Sequence, residues 1–402
     1  MTDLYRPLQS LCEGHWFKLI CGASYQHLAS IRDLTLAYTL AGADCIDVAA
    51  DPAVITAAQE AIQMATTLNI PDCNLAPSVH PDFLAAHRPW LMVSLNDGED
   101  PHFRKAHFDA DRCPTDCPRP CERICPAQAI AFPAPPAPQG VIAERCYGCG
   151  RCLPVCPIGQ IITEATVVNP AQILPQIMAL GIDAIEIHTQ MGRVAAFQRL
   201  WSAIVPHCPH LKLIAVSFPD GEDAIAYLWT LHDVIRATWS GPLVWQTDGR
   251  PMSGDLGKGT THAALKLAQT VLTEGPPGYV QLAGGTNAHT VTKARQLGLL
   301  TPSGQSVSRE PGPQRTIAGI AYGSYARAQL RQWLETGLAG EGEREVRRED
   351  REARGLFGER LWSAVQAAAA LVSPLKAGLV VSLEREDRFS QVPSPVAAAR
   401  PP

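Results

Sequence analysis

Short apolar runs alternate with longer stretches of helical periodicity along most of this chain, and that alternation narrows the possible folds more than any other feature. FKLICGAS (17–24), CIDVAA (45–50) and PWLMVSLND (89–97) read as strands, separated by helical patterns at 27–42 and 53–68. The rhythm resumes near residue 171 and repeats five more times, through strands at 183–189, 211–218, 242–249, 278–285 and 316–324. Strand–helix–strand repeats imply right-handed crossovers and a parallel sheet. Strands this apolar are expected where both faces are buried. About eight units match the number that closes a (βα)8 TIM-like barrel. An open doubly wound parallel sheet is the alternative. Pairing between the strand near Phe17 and the one near Ile317 decides between them.

One segment breaks the rhythm. Eight of the 13 cysteines fall between residues 113 and 156. The second run, Cys146-x2-Cys149-x2-Cys152-x3-Cys156-Pro157, has the spacing of a bacterial-type 4Fe-4S ligand set. The first, Cys113-x3-Cys117-x3-Cys121-x3-Cys125-Pro126, is wider. In two-cluster ferredoxins the fourth cysteine of each run ligates the cluster of the other run. Applied here, Cys113, Cys117 and Cys121 share a cluster with Cys156, and Cys146, Cys149 and Cys152 share one with Cys125. Gly148 and Gly150 let the backbone approach the inorganic sulfides, and proline after the fourth cysteine turns the chain away. The wide first run leaves a 3Fe-4S cluster open as an alternative there. Zinc prefers paired CxxC units with a longer gap. CxxxCxxxC also departs from the CxxxCxxC of radical S-adenosylmethionine enzymes. Disulfides are disfavoured where no secretory signal is seen.

The expected organisation is a first barrel part (1–99), a ferredoxin-like two-cluster insertion after the third strand (100–163) and a second barrel part (164–338). A charged linker, a helix and a disordered tail follow (339–402). The insertion is expected to need little outside packing. The linker EGEREVRREDREARG (341–355) reads as solvated, LFGERLWSAVQAAAALV (356–372) as an apolar helix that docks on the barrel or on another subunit, and the end of the chain as too poor in core residues to fold. A net charge of −5 gives no reason to expect nucleic acid as a partner. No uninterrupted apolar run is long enough for an integral membrane span. The opening MTDLYRPLQSLCEGHW has no apolar signal core, so a cytoplasmic location is expected.

In a barrel, sites lie at the carboxyl ends of the strands. Two turns there carry glycine: Gly284-Gly285 after the seventh strand, and Gly323-Ser324 after the eighth. They are candidates for holding the phosphate of FMN, or else ordinary strand–helix turns. Lys18, Glu186, His188 and Asp248 sit near strand ends. Glu186 and His188 face the same side, either as an acid–base pair or satisfying one another in a polar barrel core. The loop 248–261, with Lys258, lacks the GxxxxGK[ST] spacing and reads as lid-like. Cys12, Cys21, Cys45, Cys73 and Cys208 are scattered, and buried cysteine usually behaves as a small hydrophobe.

The tandem cysteine runs, the flanking KLICGAS and GADCIDVAAD segments and the AGGTNAHTV turn resemble the cyanobacterial light-dependent period (LdpA) family, over about residues 10 to 335. The resemblance implies an iron–sulfur protein that carries redox state to the circadian clock and associates with clock proteins. Two functions follow as expectations. One is a redox sensor or electron relay exchanging electrons with a carrier such as a quinone or a ferredoxin. The other is an iron–sulfur flavin-dependent oxidoreductase with FMN at the barrel mouth.

Overall fold

Eight parallel strands close on themselves: β1 (Trp16–Ile20), β2 (Cys45–Ala49), β3 (Trp90–Asn96), β4 (Ala184–His188), β5 (Leu213–Pro219), β6 (Leu243–Asp248), β7 (Tyr279–Ala283) and β8 (Gly319–Tyr322). Each pairs with its neighbour in sequence, and closure comes from β1 against β8, with Phe17 opposite Ile320. The open sheet is therefore excluded. The structure is a computed structural model and describes residues 6–68, 88–98, 103–132, 140–165, 169–249, 260–301, 316–334 and 360–376. Cys73, the prolines of 133–139, most of the lid-like loop (250–259, with Lys258), the charged 341–355 segment and the end of the chain lie outside the described residues.

A helix follows each strand: α1 (Leu28–Leu40), α2 (Pro52–Thr67), α3 (Pro170–Ala179), α4 (Val194–Ile204), α5 (Ala224–Arg236), α6 (Thr260–Glu274), α7 (Thr290–Gln296) and α8 (Ser324–Leu334). Their starts follow local chemistry. Asp51 accepts from the amides of Ala53 and Val54 while Pro52 takes the first helical position, a cap worth about 1 kcal/mol. Asn169 and Pro170 repeat the device at α3.

Strand alternation sorts the side chains. Outward residues such as Leu19, Ile46, Val93 and Ile187 meet the helices in the main core. Inward residues form two zones. At the amino-terminal end Trp16, Trp90, Val244 and Tyr279 fill the bore, and Leu11 of the N-terminal helix (Arg6–Glu13) plugs it. Gly319 belongs to this zone: a Cβ there would lie 2.1 Å from the carbonyl oxygen of Trp16, so β8 can approach β1 only without a side chain. Nearer the carboxyl ends the inward residues turn polar: Lys18, Asp47, Ser94, Glu186, Ser217, Gln246 and Gln281, all buried.

Of the helix that sequence patterning places at 356–372, the described part, 360–372, is helical, and the helix continues through 376. It docks on the barrel of its own chain. Leu361, Val365, Ala368, Val372 and Leu375 join the main core. Lys376 Nζ pairs with the Asp44 carboxylate and donates to Ser10 Oγ (3.0 Å).

Candidate metal centre

Between β3 and α3 the chain leaves the barrel and builds two short antiparallel ribbons. Arg104–His107 pairs with Ile162–Ala165, and Ile130–Ala131 pairs with Gly140–Val141. Ala106, Phe108, Ala129, Ile130 and Ile161 form a small core between them, together with Cys121, Cys146 and Cys152. The cysteine loops hang from these ribbons. Cys113 follows a turn at Ala110–Arg112, and Cys121 and Cys125 stand at the two ends of a short helix (Pro120–Ile124).

The loops sort the eight sulfurs into two groups that do not follow chain order. One cavity is lined by Cys125 together with Cys146, Cys149 and Cys152, and by Gly148 and Gly150. Both glycines sit at φ +71°, a left-handed conformation open to glycine and strained for other residues. The remaining four approach one another elsewhere: Cys117 and Cys156 both bear on the Cys113 sulfur, and Cys156 and Cys113 on that of Cys121. The twelve cysteines among the described residues are free thiols.

Electrostatics in the two groups suit a cationic guest. Burial, reinforced by Cys149, Cys146 and Cys125, pushes the Cys152 thiol up to about 12. Burial likewise raises Cys113, Cys121 and Cys149. Four thiolates packed this closely require positive charge between them, and a coordinating metal deprotonates its thiols outright. Cys156 is the exception. Burial works against its thiolate, but the amides of Gln160, Ile158, Ile161 and Gly159 turn toward the sulfur and hold the pKa below the usual thiol value. Further donors reach other sulfurs: Ala106 N to Cys146 Sγ (3.3 Å), Ala129 N to Cys125 Sγ (3.2 Å) and Gln160 Nε2 to Cys113 Sγ (3.1 Å). The amide nest at 158–161 and the Gln160 amide are functional groups that the cysteine spacing does not reveal. The Pro157-Ile158-Gly159 turn is their only trace in the sequence.

The insertion is not independent of the barrel, contrary to the sequence expectation. Tyr147, between two cysteines, is buried in the main core. It meets Tyr25 edge-on (6.0 Å), and the Arg327 guanidinium lies over its ring at 4.1 Å. Phe103 sets its ring edge-on against His188 (5.4 Å) over the carboxyl ends of the strands.

Beneath Phe103 the candidate polar residues bind one another. Lys18 Nζ pairs with Glu186 and lies 3.6 Å from Asp47. Glu186 also takes His188 Nε2 (3.0 Å) and Gln246 Nε2 (2.8 Å), and Ser217 Oγ donates to Asp248 (2.6 Å). Glu186 and His188 thus meet in a buried polar core, the second of the two arrangements their spacing allows. The Gly284-Gly285 turn is packed from within: a Cβ on Gly284 would meet Asp248 Oδ1 and Gly249 N at 2.9 Å, and Gly285 O accepts from Thr261. Gly323 and Ser324 open α8. Cys21, Cys45 and Cys208 are buried singly, and Cys12 contacts Tyr279 Oη (3.0 Å).

Comparison with known proteins bears on this region directly. A family model described as the LdpA Fe-S cluster-binding domain matches residues 113–167, and one described as the Light dependent period A C-terminal domain matches 176–374. The second match runs past residue 335 and takes in the docked C-terminal helix. A curated relative, Light dependent period A of Synechococcus elongatus (strain PCC 7942), is 52% identical over 370 residues, 92% of this chain and 94% of that protein. A solved chain described as a structural study from Aquifex aeolicus VF5 covers 92% of this chain and 98% of that one. Its identity is 8% and its TM-score 0.27, too slight a likeness to carry an argument.

Proposed function

The chain belongs to the light-dependent period A family, and from that membership and its sulfur arrangement we propose a cytoplasmic two-cluster iron–sulfur protein that senses redox state and passes it to the circadian clock. The observation that carries the reading is the exchange of fourth cysteines: Cys125 lines the cavity of the second run, while Cys156 neighbours Cys113 and Cys121 of the first. That grouping is the one that crossed ligation in ferredoxin-like two-cluster loops would use. Bound clusters would supply one-electron exchange with a carrier such as a quinone or a ferredoxin.

The two sites have different surroundings. In the second group Cys146 and Cys152 are buried, Cys125 and Cys149 are partly covered, and Tyr147 ties the loop to the barrel; in the first group only Cys121 is buried, and Cys113, Cys117 and Cys156 are partly covered. We assign the exposed site, held by Cys113, Cys117, Cys121 and Cys156, as the electron entry. The buried site, held by Cys125, Cys146, Cys149 and Cys152, faces the barrel and is where reduction would alter packing. Cluster potential follows sulfur hydrogen bonds and solvent exposure, so the two are expected to differ. The wide first run makes a 3Fe-4S cluster at the exposed site the alternative to 4Fe-4S. Clock proteins are the proposed recipients of the signal.

The test is anaerobic purification with iron, sulfide and flavin assays and electron paramagnetic resonance. Cys149→Ser and Cys125→Ser should each lower iron from about eight to about four per chain and remove the same spectral component. Cys12→Ser should remove none. If Cys125→Ser instead removes the component lost in Cys113→Ser, the crossed assignment is wrong.

A further inference from the structure

Where the insertion meets the barrel, a groove of about 750 Å³ opens between the first turns of α1 and α8 and the chain around Ala127 and Tyr147. Arg145, Arg327, Arg331 and Arg360 line it, and no carboxylate does among the described residues. Planar guanidiniums brought to one wall offer several donors to a single anion. Arg327 is fixed by neutral partners: its Nη1 donates to the carbonyls of Ile20 (2.7 Å) and Cys21 (3.0 Å), and its plane stacks on Tyr147. Its Nε is buried without a hydrogen-bond partner among the described residues. α1 and α8, of 13 and 11 residues, both begin at this groove, and helix N-termini favour anions. The volume lies within the range of small-molecule sites, and Tyr25, Ala127 and Leu334 give the groove an apolar side.

We propose that this groove binds a phosphorylated small molecule of about nucleotide size, its phosphates held by the four arginines and its apolar part against Tyr25 and Leu334. The arginines come from the insertion, α8 and the C-terminal helix, so the site exists only when all three are assembled. Planar guanidiniums match phosphate oxygens two at a time, which distinguishes this wall from a merely basic surface. The Gly284-Gly285 turn takes no part, so the site is distinct from the flavin position read from the sequence.

The assay is calorimetric titration of the anaerobically purified full-length protein with ADP, pyrophosphate and adenosine. ADP and pyrophosphate should bind, more weakly as salt is raised, and adenosine should not. Arg331→Glu and Arg145→Glu should each weaken binding by about tenfold or more. Arg199→Glu, on the exposed face of α4, should leave it unchanged. Iron content and circular dichroism identify any variant that has misfolded. The proposal is overturned if neither phosphate compound binds at about 1 mM, including the case in which carboxylates from residues 341–352 of the same chain neutralise the groove. It is equally overturned if both charge reversals bind as the unaltered chain does.

Discussion

Lys18 meets two carboxylates in the bore of the barrel, and the two are not equivalent. Burial works against ionising Glu186, but Lys18 beside it and the His188 contact hold it below the usual carboxylate range. Burial, with Glu186 adding to it, pushes Asp47 up to about 6 despite Lys18. A carboxyl raised in the folded state binds its proton more tightly there than in the unfolded chain. Stability from Asp47 is therefore greatest below about pH 4 and falls as pH rises through about 6. Asp47→Asn should remove a loss on the order of 1 kcal/mol between about pH 5 and about pH 8. Glu186→Gln should destabilise by about 3–5 kcal/mol at neutral pH, because Lys18 keeps only the weaker partner. Denaturation midpoints of the two variants at both pH values decide it; equal losses at about pH 8 would mean that Asp47 carries no excess charge. At this scale the sequence was readable in type but not in consequence. Lys18, Glu186 and His188 were visible as polar residues on apolar strands. That they satisfy one another depends on β1 and β4 facing across a closed bore, which strand periodicity does not specify.

The strands themselves were legible because a parallel barrel strand must be apolar on both faces, and each such run here falls within a few residues of its observed strand. The C-terminal helix was legible as a helix only. Its apolar stripe says that something covers it, and Lys376 reads as an interruption of that stripe. In the fold Lys376 lies at the amino-terminal face of the barrel, pairing with Asp44, while His15 contacts the carbonyl of Leu375 at 3.2 Å. Both charges are buried. Lys376→Ala would leave Asp44 without its cation and should cost about 3–5 kcal/mol. Lys376→Met with Asp44→Asn should recover much of that, since a buried pair contributes little beyond its apolar replacement. Iron content should stay constant in both, because the cysteine loops pack on their own small core. Iron loss in Lys376→Ala at a temperature where the barrel remains folded would show instead that this helix supports the cluster loops.

Across the whole molecule, cluster ligation and the groove share a wall. The cysteine runs are local, so their spacing carried the chemistry into the sequence. The four arginines lie between positions 145 and 360 and become neighbours only through barrel closure and docking of the insertion, so no local pattern marks them. Tyr147 lines both the cavity of Cys125, Cys146, Cys149 and Cys152 and the arginine groove. Reduction of a cluster in that cavity would add a negative charge near this ring, and an anion in the groove would lie near it too. The two should oppose each other, and linkage makes the effect reciprocal. ADP affinity should therefore fall by about fivefold or more on reduction, and ADP should lower the potential of the buried cluster while moving the exposed one less. Anaerobic titration of oxidised and dithionite-reduced protein measures the first effect, and a redox titration followed by electron paramagnetic resonance measures the second. Cys149→Ser, without the buried cluster, should bind ADP equally in both states. If the unaltered protein also binds ADP equally in both states, groove and cluster are neighbours without coupling, and a redox signal would have to leave the insertion by another face.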